Sequence, residues 1–531
     1  MKLASTTSQG LFSNISAELY PIIASHLPLY ATSPTLLALA LTNRHISDVV
    51  LPLLYSILVL KNEADALHVL QRLLDDPPFG RVVRELHVIC ELSNNIQNPN
   101  PPSAVIRRVE EVVSSGYLPF IHTFNLTISW GWYYDPERNL KQNEGYGNLS
   151  KAFVTTLKQN CPRLRCLILR NFGEYFKSIW IEESGILQAP DTTRLAIRLR
   201  DWTLQRSAVD KLFEHVSSLS ASLHTLELIP GYMQSTSTSP IFNLDLPCLR
   251  SLTLSTSAEV DTEKSMAFFK RHPSIEYLDI SLNDIRKTKC WFSSELPDRF
   301  LPNLLHLRAR WAEARLLAPI LPQLISLSIH RSINAQIPYL LRSVIPNGLP
   351  LLKSLDIGQS ASVDNDITAI EGSLWYESKD GTFRQANKRN QSRTVFESFM
   401  HSIVRAAPNL EELAFHGSLF PILYFVSIAN DLNDLPHLKH LYCEGSRYDI
   451  HSSADRLVFT SHAKEVADAV PSLVSITNVA NVHPPFLTAK VGRNSSGGIA
   501  GVKTGKGFGM KIGYEDEAFP WAPRGSTRRW Q

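Results

Sequence analysis

The chain has 531 residues, 44% hydrophobic and 19% charged, which is ample for a large buried core and too long for one compact globule. Its 53 basic and 50 acidic residues leave a net charge of +3, which excludes a global field drawing it onto nucleic acid or an anionic membrane. The six cysteines (Cys90, Cys161, Cys166, Cys248, Cys290 and Cys443) show no CxxC and no paired-histidine spacing, so reduced, mostly buried thiols, no metal and no cofactor are expected.

Residues 1–10 are polar, without a secretory apolar run, and read as a disordered start. No later stretch approaches the ~20 apolar residues that cross a bilayer. A cytoplasmic or nuclear protein with no membrane partner is expected. Residues 11–60 read as a small all-α domain. Ser16 is placed to cap a helix whose face is Leu19, Ile22, Ile23 and Leu27. Ser33 with Pro34 predicts a second cap, with proline at the first helical position.

The phrases Ile15-Ser16-x-Glu18-Leu19-x-x-Ile22-Ile23-x-x-Leu27, Leu36 to Arg44, and Leu51-Pro52-Leu53-Leu54-Tyr55-Ser56 resemble an F-box domain. The last is similar to those of fungal F-box proteins with leucine-rich repeats. The likeness covers about 45 residues and departs from the family pattern at Ile15-Ser16, in place of Leu-Pro, and at His45-Ile46, where an aromatic is usual. The resemblance implies docking on a Skp-type adaptor, and through it a cullin, by Ile15, Glu18, Leu19, Ile22, Leu27, Leu37 and Leu41. Exposure of Leu19, Ile22 and Leu27 would favour that role. The alternative is that the helices only cap the first repeat.

From residue 61 to 485 one pattern recurs: Pro-x-Leu-x-x-Leu-x-Leu. It begins at Pro162, Pro247, Pro273, Pro302, Pro322, Pro350, Pro408, Pro436 and Pro471, with weaker copies at Arg81, Pro119, Pro190 and Ala221. In Leu-x-Leu both leucines share one face of a strand, so each copy predicts one short strand. Amphipathic stretches precede many copies, at 150–159, 209–219, 264–270, 395–406 and 463–470, and the proline ends each helix. Helix-plus-strand units stack to bury their apolar edges. The expectation is an α/β leucine-rich repeat solenoid, its parallel sheet on the concave face and its helices on the convex face, behind the F-box-like domain.

Strand residues between the leucines point out of that sheet, at four, six and eight after each start. They nominate Arg194, Arg198, Tyr277, Asp279, His306, Arg308, Arg310, His330, His440 and Tyr442 as the substrate-binding surface. His306, Arg308 and Arg310 beside Trp311 form the most basic group and favour an acidic or phosphorylated protein segment, not nucleic acid. An irregular insert near 360–395 carries Trp375 and Tyr376 as candidate anchors.

Residues 486–531 read as a flexible tail rich in glycine, lysine and arginine. Its Gly505-Lys506 fails as a phosphate loop, since Ala500 and Gly507 stand where Gly and Ser/Thr are required. No Gly-x-Ser-x-Gly or His-Glu-x-x-His motif is present, and the chain reads as a non-catalytic substrate receptor of a Skp-cullin-F-box ubiquitin ligase. The alternative is a repeat scaffold with no link to ubiquitin.

Overall fold

The structure, a computed structural model, describes residues 16–27, 29–60, 63–92, 103–130, 151–172, 191–199, 206–229, 239–254, 260–280, 290–332, 336–359, 375–377, 383–385, 400–416, 422–443, 452–479 and 486–507. The chain divides into two units, Met1–Gln234 with Glu515–Gln531, and Ser235–Tyr514.

The first unit opens on α1 (Leu19–His26), α2 (Leu29–Ala40) and α3 (Arg44–Ser56). Asn43 Oδ1 accepts from Ile46 N–H at 2.8 Å and starts α3, and Tyr20, Ala24, Leu36, Ala40, Ile46 and Val50 form the core of the three helices. Two expected caps are corrected. Ser16 gives only its backbone carbonyl to Leu19 N–H, because Glu18 already has helical dihedrals and occupies the N-cap. Pro34 lies inside α2, not at its start. Proline forfeits one helical hydrogen bond there, and the burial of Leu36 and Ala40 on the same helix opposes that loss.

Strand β1 (Ile57–Leu60) follows α3 directly and pairs in parallel with β2 (Glu85–Leu92), Leu58 beside Leu86. The array therefore begins at Ile57 and not near Arg81. Its first strand is a continuous apolar run without the proline signature. After α4 (Glu63–Asp75), β2, α5 (Ser103–Ser114), β3 (Thr123–Trp130), α6 (Lys151–Asn160), β4 (Cys166–Phe172), β5 (Arg194–Leu199), α7 (Arg206–Ser218) and β6 (Thr225–Ile229) continue the order, each strand parallel to the one before. Helix α4 packs on α5 and α5 on α6. This is an α/β repeat solenoid, with the predicted leucines of every described strand turned inward and buried.

The backbone explains the regularity. Repeat prolines among the described residues stand second in a four-residue turn, as in Leu164 N–H to Cys161 O at 3.0 Å, Leu249 to Leu246 at 2.9 Å and Leu352 to Leu349 at 3.1 Å. The fixed φ of proline suits that position. Three residues after the proline, one carbonyl accepts two N–H groups from the next strand. Arg165 O takes Thr193 and Arg194 at 2.8 and 3.2 Å, and Lys353 O takes Glu411 and Glu412 at 2.8 and 2.9 Å. At ~1.5–3 kcal/mol for each buried leucine-sized side chain, the inward rows dominate stability.

The second unit repeats the scheme through β7 (Ser251–Leu254), α8 (Thr262–Arg271), β8 (Tyr277–Asp279), β9 (His306–Arg310), α9 (Trp311–Leu316), β10 (Ser326–Ser332) and β11 (Ser354–Gln359). In the insert only β12 (Trp375–Glu377) and β13 (Phe383–Gln385), an antiparallel pair, are described, so the anchor roles expected of Trp375 and Tyr376 lie outside the described side chains. The array resumes with β14 (Glu412–His416), α10 (Ile422–Ser427), β15 (His440–Cys443), α11 (Ser453–Ala469) and β16 (Ser475–Asn478).

Residues 486–507 are not a flexible tail. They form β17 (Phe486–Arg493), antiparallel to β16, and β18 (Ile499–Gly507), antiparallel to β17. Gly497, at φ 84°, completes the turn, and Gly505-Lys506 sits within β18. Arg493 Nη2 donates to the carbonyls of Ala467 and Val470 at 2.9 and 3.0 Å, closing the C-terminal end of α11. The expected roles of residues beyond 507 lie outside the described residues.

Phe242, ahead of β7, and Phe268, Phe269, Trp291, Phe292 and Phe300, between β7 and β9, pack edge to face or tilted. Buried His272 links this cluster to the backbone. Its Nδ1 meets Phe268 O at 2.7 Å, and its Nε2 accepts Leu246 N–H at 2.8 Å, which fixes the neutral Nδ1–H tautomer. Burial holds its pKa below 6.5, so the unfolded chain takes up the proton first. Stability from this residue is complete above pH 6.5 and falls as pH drops from there toward the lowered value. His272→Leu, which leaves Leu246 N–H buried without its acceptor, is expected to cost about 1–3 kcal/mol in urea unfolding and to shrink the acid-side fall.

Candidate functional site

Two surfaces carry the residues nominated by sequence. The first lies on the helices of the first unit. Tyr20, Ala24, Leu36 and Ala40 turn into the core, with Leu39 packed against them, while Leu19 is 45% exposed, Ile22 53%, Leu37 48% and Leu41 78%. Glu18 is exposed beside them and Leu27 is half-buried. Ile15 lies outside the described residues.

The second is the outward row of the strands. Registers place the nominated positions as expected: Tyr277 beside His306 and Asp279 beside Arg308 in the second unit, Arg194 beside Cys166 and Thr225 in the first. These outward side chains do not stand free. Arg194, Tyr277, Asp279 and Tyr442 are buried, and His306, Arg308, Arg310, His330 and His440 are half-buried. Neighbouring strands lie about 4.8 Å apart, close enough for polar side chains to bond one another along the row. Arg198 lies on β5 beside Ile229, and its side chain is not among those described.

In the second unit the row is a continuous polar ladder. Arg308 Nη1 donates to Asp279 Oδ2 at 3.2 Å, and its Nη2 lies 3.3 Å from His330 Nε2. Ser328 Oγ reaches both that Nε2 and Asp356 Oδ2 at 2.7 Å. Arg310 is held by buried Glu313, its Nε 3.1 Å from Oε2. Trp311 lies under the Arg315 guanidinium, 5.2 Å from ring centroid to Cζ. The cationic group expected to receive an acidic partner is thus already neutralised by Asp279 and Glu313. Further along, Ser354 bonds Glu412 at 3.3 Å and His440 Nδ1 lies 2.8 Å from Ser475 Oγ.

In the first unit the same row holds further polar links. Glu85, His87, Asn125 and Thr127 form a buried chain with links of 3.1, 3.3 and 2.8 Å. Arg170, 1% exposed, crosses β5 to bond Glu227 on β6, and the residue of β5 beside Glu227 is Ala196, short enough to leave a path. The signal was present in the sequence as charged residues at outward positions of adjacent repeats, but it gave no pairing.

Burial pushes the thiols of Cys161 and Cys443 up to about 12, which keeps them unreactive, and Cys161, Cys166, Cys248, Cys290 and Cys443 form no disulfide. No helix among the described residues is long and apolar enough to cross a membrane.

No protein-family model matches the sequence, and no curated protein matches it. Among solved structures the chain is similar to the leucine-rich repeat-containing protein LegL7 of Legionella pneumophila, at 13% identity over 77% of this chain and 86% of that one, TM-score 0.26. It is also similar to a leucine-rich repeat protein of Leptospira interrogans, at 13% identity over 74% of this chain and 96% of that one, TM-score 0.30. The assignment to a repeat solenoid stands on the strand ladder itself.

The buried ion pair gives a test of the polar row. Arg170→Met leaves the Glu227 carboxylate desolvated without its guanidinium and is expected to cost about 3–5 kcal/mol in denaturant unfolding. Pairing it with Glu227→Gln is expected to recover much of the loss, a coupling that independent sites would not show.

Proposed function

We propose that the chain is the substrate-recognition subunit of a Skp-cullin-F-box ubiquitin ligase, its N-terminal helices docking the Skp adaptor and its repeats binding a protein substrate. The observation that carries this reading is the division of α1 and α2. Of the residues that the F-box resemblance assigns to the adaptor, Leu19, Ile22, Leu37 and Leu41 are exposed and Leu27 is half-buried, while Tyr20, Ala24, Leu36 and Ala40 beside them make the core. Helices serving only as a cap would turn such residues toward the array. A buried anchor cluster with a polar rim is what stable association requires, and Glu18 supplies the beginning of that rim.

The reading is non-catalytic. Ser328, His330 and Asp356 share one corner of the polar ladder, but hydroxyl and carboxylate both lie nearest the same imidazole nitrogen, the carboxylate at 3.7 Å. A relay needs the base to be oriented through its other nitrogen. A second reading, a repeat scaffold without a ubiquitin link, is favoured by the packing of α2 and α3 against β1, which lets the helices close the end of the array.

Co-purification separates the two. Full-length protein is expected to capture the Skp adaptor, and Leu19→Asp with Ile22→Asp, both at exposed positions, is expected to lower that capture at least about tenfold without changing the melting temperature. Absence of capture by the full-length chain favours the scaffold.

A further inference from the structure

The turn edge of the array, where the chain passes from the proline to the strand, has a charge pattern that neither reading uses. Two positions of each repeat lie there: the residue after the proline, and the residue whose carbonyl accepts the two N–H groups of the next strand. In the second unit the charged residues at the carbonyl position compensate one another. Arg250 meets Glu276 at 3.5 Å, and Glu411 is held between Lys353 and Lys439 at 3.2 and 2.7 Å. The hydrogen bond from Lys439 and then that from Lys353 pull the Glu411 carboxyl below its ordinary range.

The first unit departs from this pattern. Its carbonyl positions are Arg84, His122, Arg165 and Thr193, with no acid among them. Across the first three turns, residues 81–84, 119–122 and 162–165 contribute Arg81, Arg84, Arg163 and Arg165 and no carboxylate. Arg81, Arg163 and Arg165 are exposed, and the described ion pairs of this unit lie elsewhere, at His87–Glu85, Arg108–Glu111 and Arg170–Glu227. Asp191, on the next turn, is exposed and enters none of them.

The cations are also pre-positioned. Phe120 carries two guanidinium groups over its ring, Arg84 at 5.0 Å and Arg163 at 4.8 Å. Arg84 is further pinned by its Nη1, which donates to the carbonyls of Arg81, Val82 and Val83 at 2.7, 3.1 and 3.2 Å. Holding like charges together without a counter-ion costs free energy in the isolated chain, and an anionic partner recovers it with little ordering left to do.

We propose that this turn edge of the first unit is a docking surface for an acidic protein helix. The spacing favours a helix. Carboxylates at i and i+3 or i+4 stand about 5–6 Å apart, close to the roughly 4.8 Å between successive strands. The chemistry favours protein over nucleic acid. The one aromatic ring of the edge is occupied by guanidinium groups and offers no face for base stacking, and a net charge of +3 supplies no long-range field for a polyphosphate chain. The inference does not depend on adaptor docking, which uses a different surface of this unit.

The test uses full-length protein and a fluorescently labelled helical peptide with glutamate at every third or fourth position, beside the same peptide carrying glutamine and a single-stranded oligouridylate. The glutamate peptide is expected to bind, more weakly as salt rises, with affinity reduced about tenfold or more by Arg163→Glu with Arg165→Glu. The Leu19→Asp, Ile22→Asp protein is expected to bind it as well as the unaltered chain. Should the double reversal perturb the melting curve, Arg165→Ala alone is expected to weaken binding in the same direction. No binding of the glutamate peptide, equal binding of the glutamine peptide, indifference to the reversals, or tighter binding of the oligouridylate would each overturn the proposal.

Discussion

The structure depends on one recurrent backbone interaction, the carbonyl three residues after each repeat proline that accepts two N–H groups from the following strand. Seen at Arg84, His122 and Arg165 in the first unit and at Arg250, Glu276, Lys353, Glu411 and Lys439 in the second, it locks successive strands into a constant register. A one-residue slip would turn every leucine outward, so this bond and the burial of the leucines enforce each other. Segment lengths between strands can then vary freely, as the insert between β11 and β14 shows, because the register is re-established at each proline turn.

A constant register sorts side chains by position. In most repeats the residues two, five and seven after the proline are buried and apolar, those four, six and eight after it form the outward row, and those one and three after it form the turn edge. The outward row was the expected binding surface, yet its charges are largely spent on one another: Arg308 on Asp279, Arg310 on Glu313, Arg170 on Glu227. Uncompensated charge is found on the turn edge of the first unit instead. Exposed large apolar side chains occur along the described chain, and Leu19, Ile22, Leu37 and Leu41 are the ones that stand where sequence resemblance had placed a partner.

The fold was largely legible because its determinants are local. The Leu-x-Leu spacing, the proline turn and the amphipathic stretches each act within about ten residues, and nearly every predicted strand is present. What escaped the reading was of two kinds. Some elements lack the signature: β1 is a bare apolar run, and β17 and β18 alternate apolar and polar residues around the turn Asn494 to Gly498 but resemble a glycine-rich tail in composition. Other features join residues far apart in the chain. Register predicted which residues share a row, but not that Arg170 would reach past β5 to Glu227, fifty-seven residues away, or that Ser328 would bridge His330 and Asp356. The adaptor residues were legible only through resemblance; periodicity alone would have assigned Leu19 and Ile22 to the core face.

The most direct test of the account is hydrogen–deuterium exchange on the full-length chain with and without purified Skp adaptor. The account predicts slowed exchange confined to peptides covering α1 and α2, residues 19–40, with the strands unchanged. Unchanged exchange across those helices in the presence of saturating adaptor, or protection appearing only in the repeats, would contradict it.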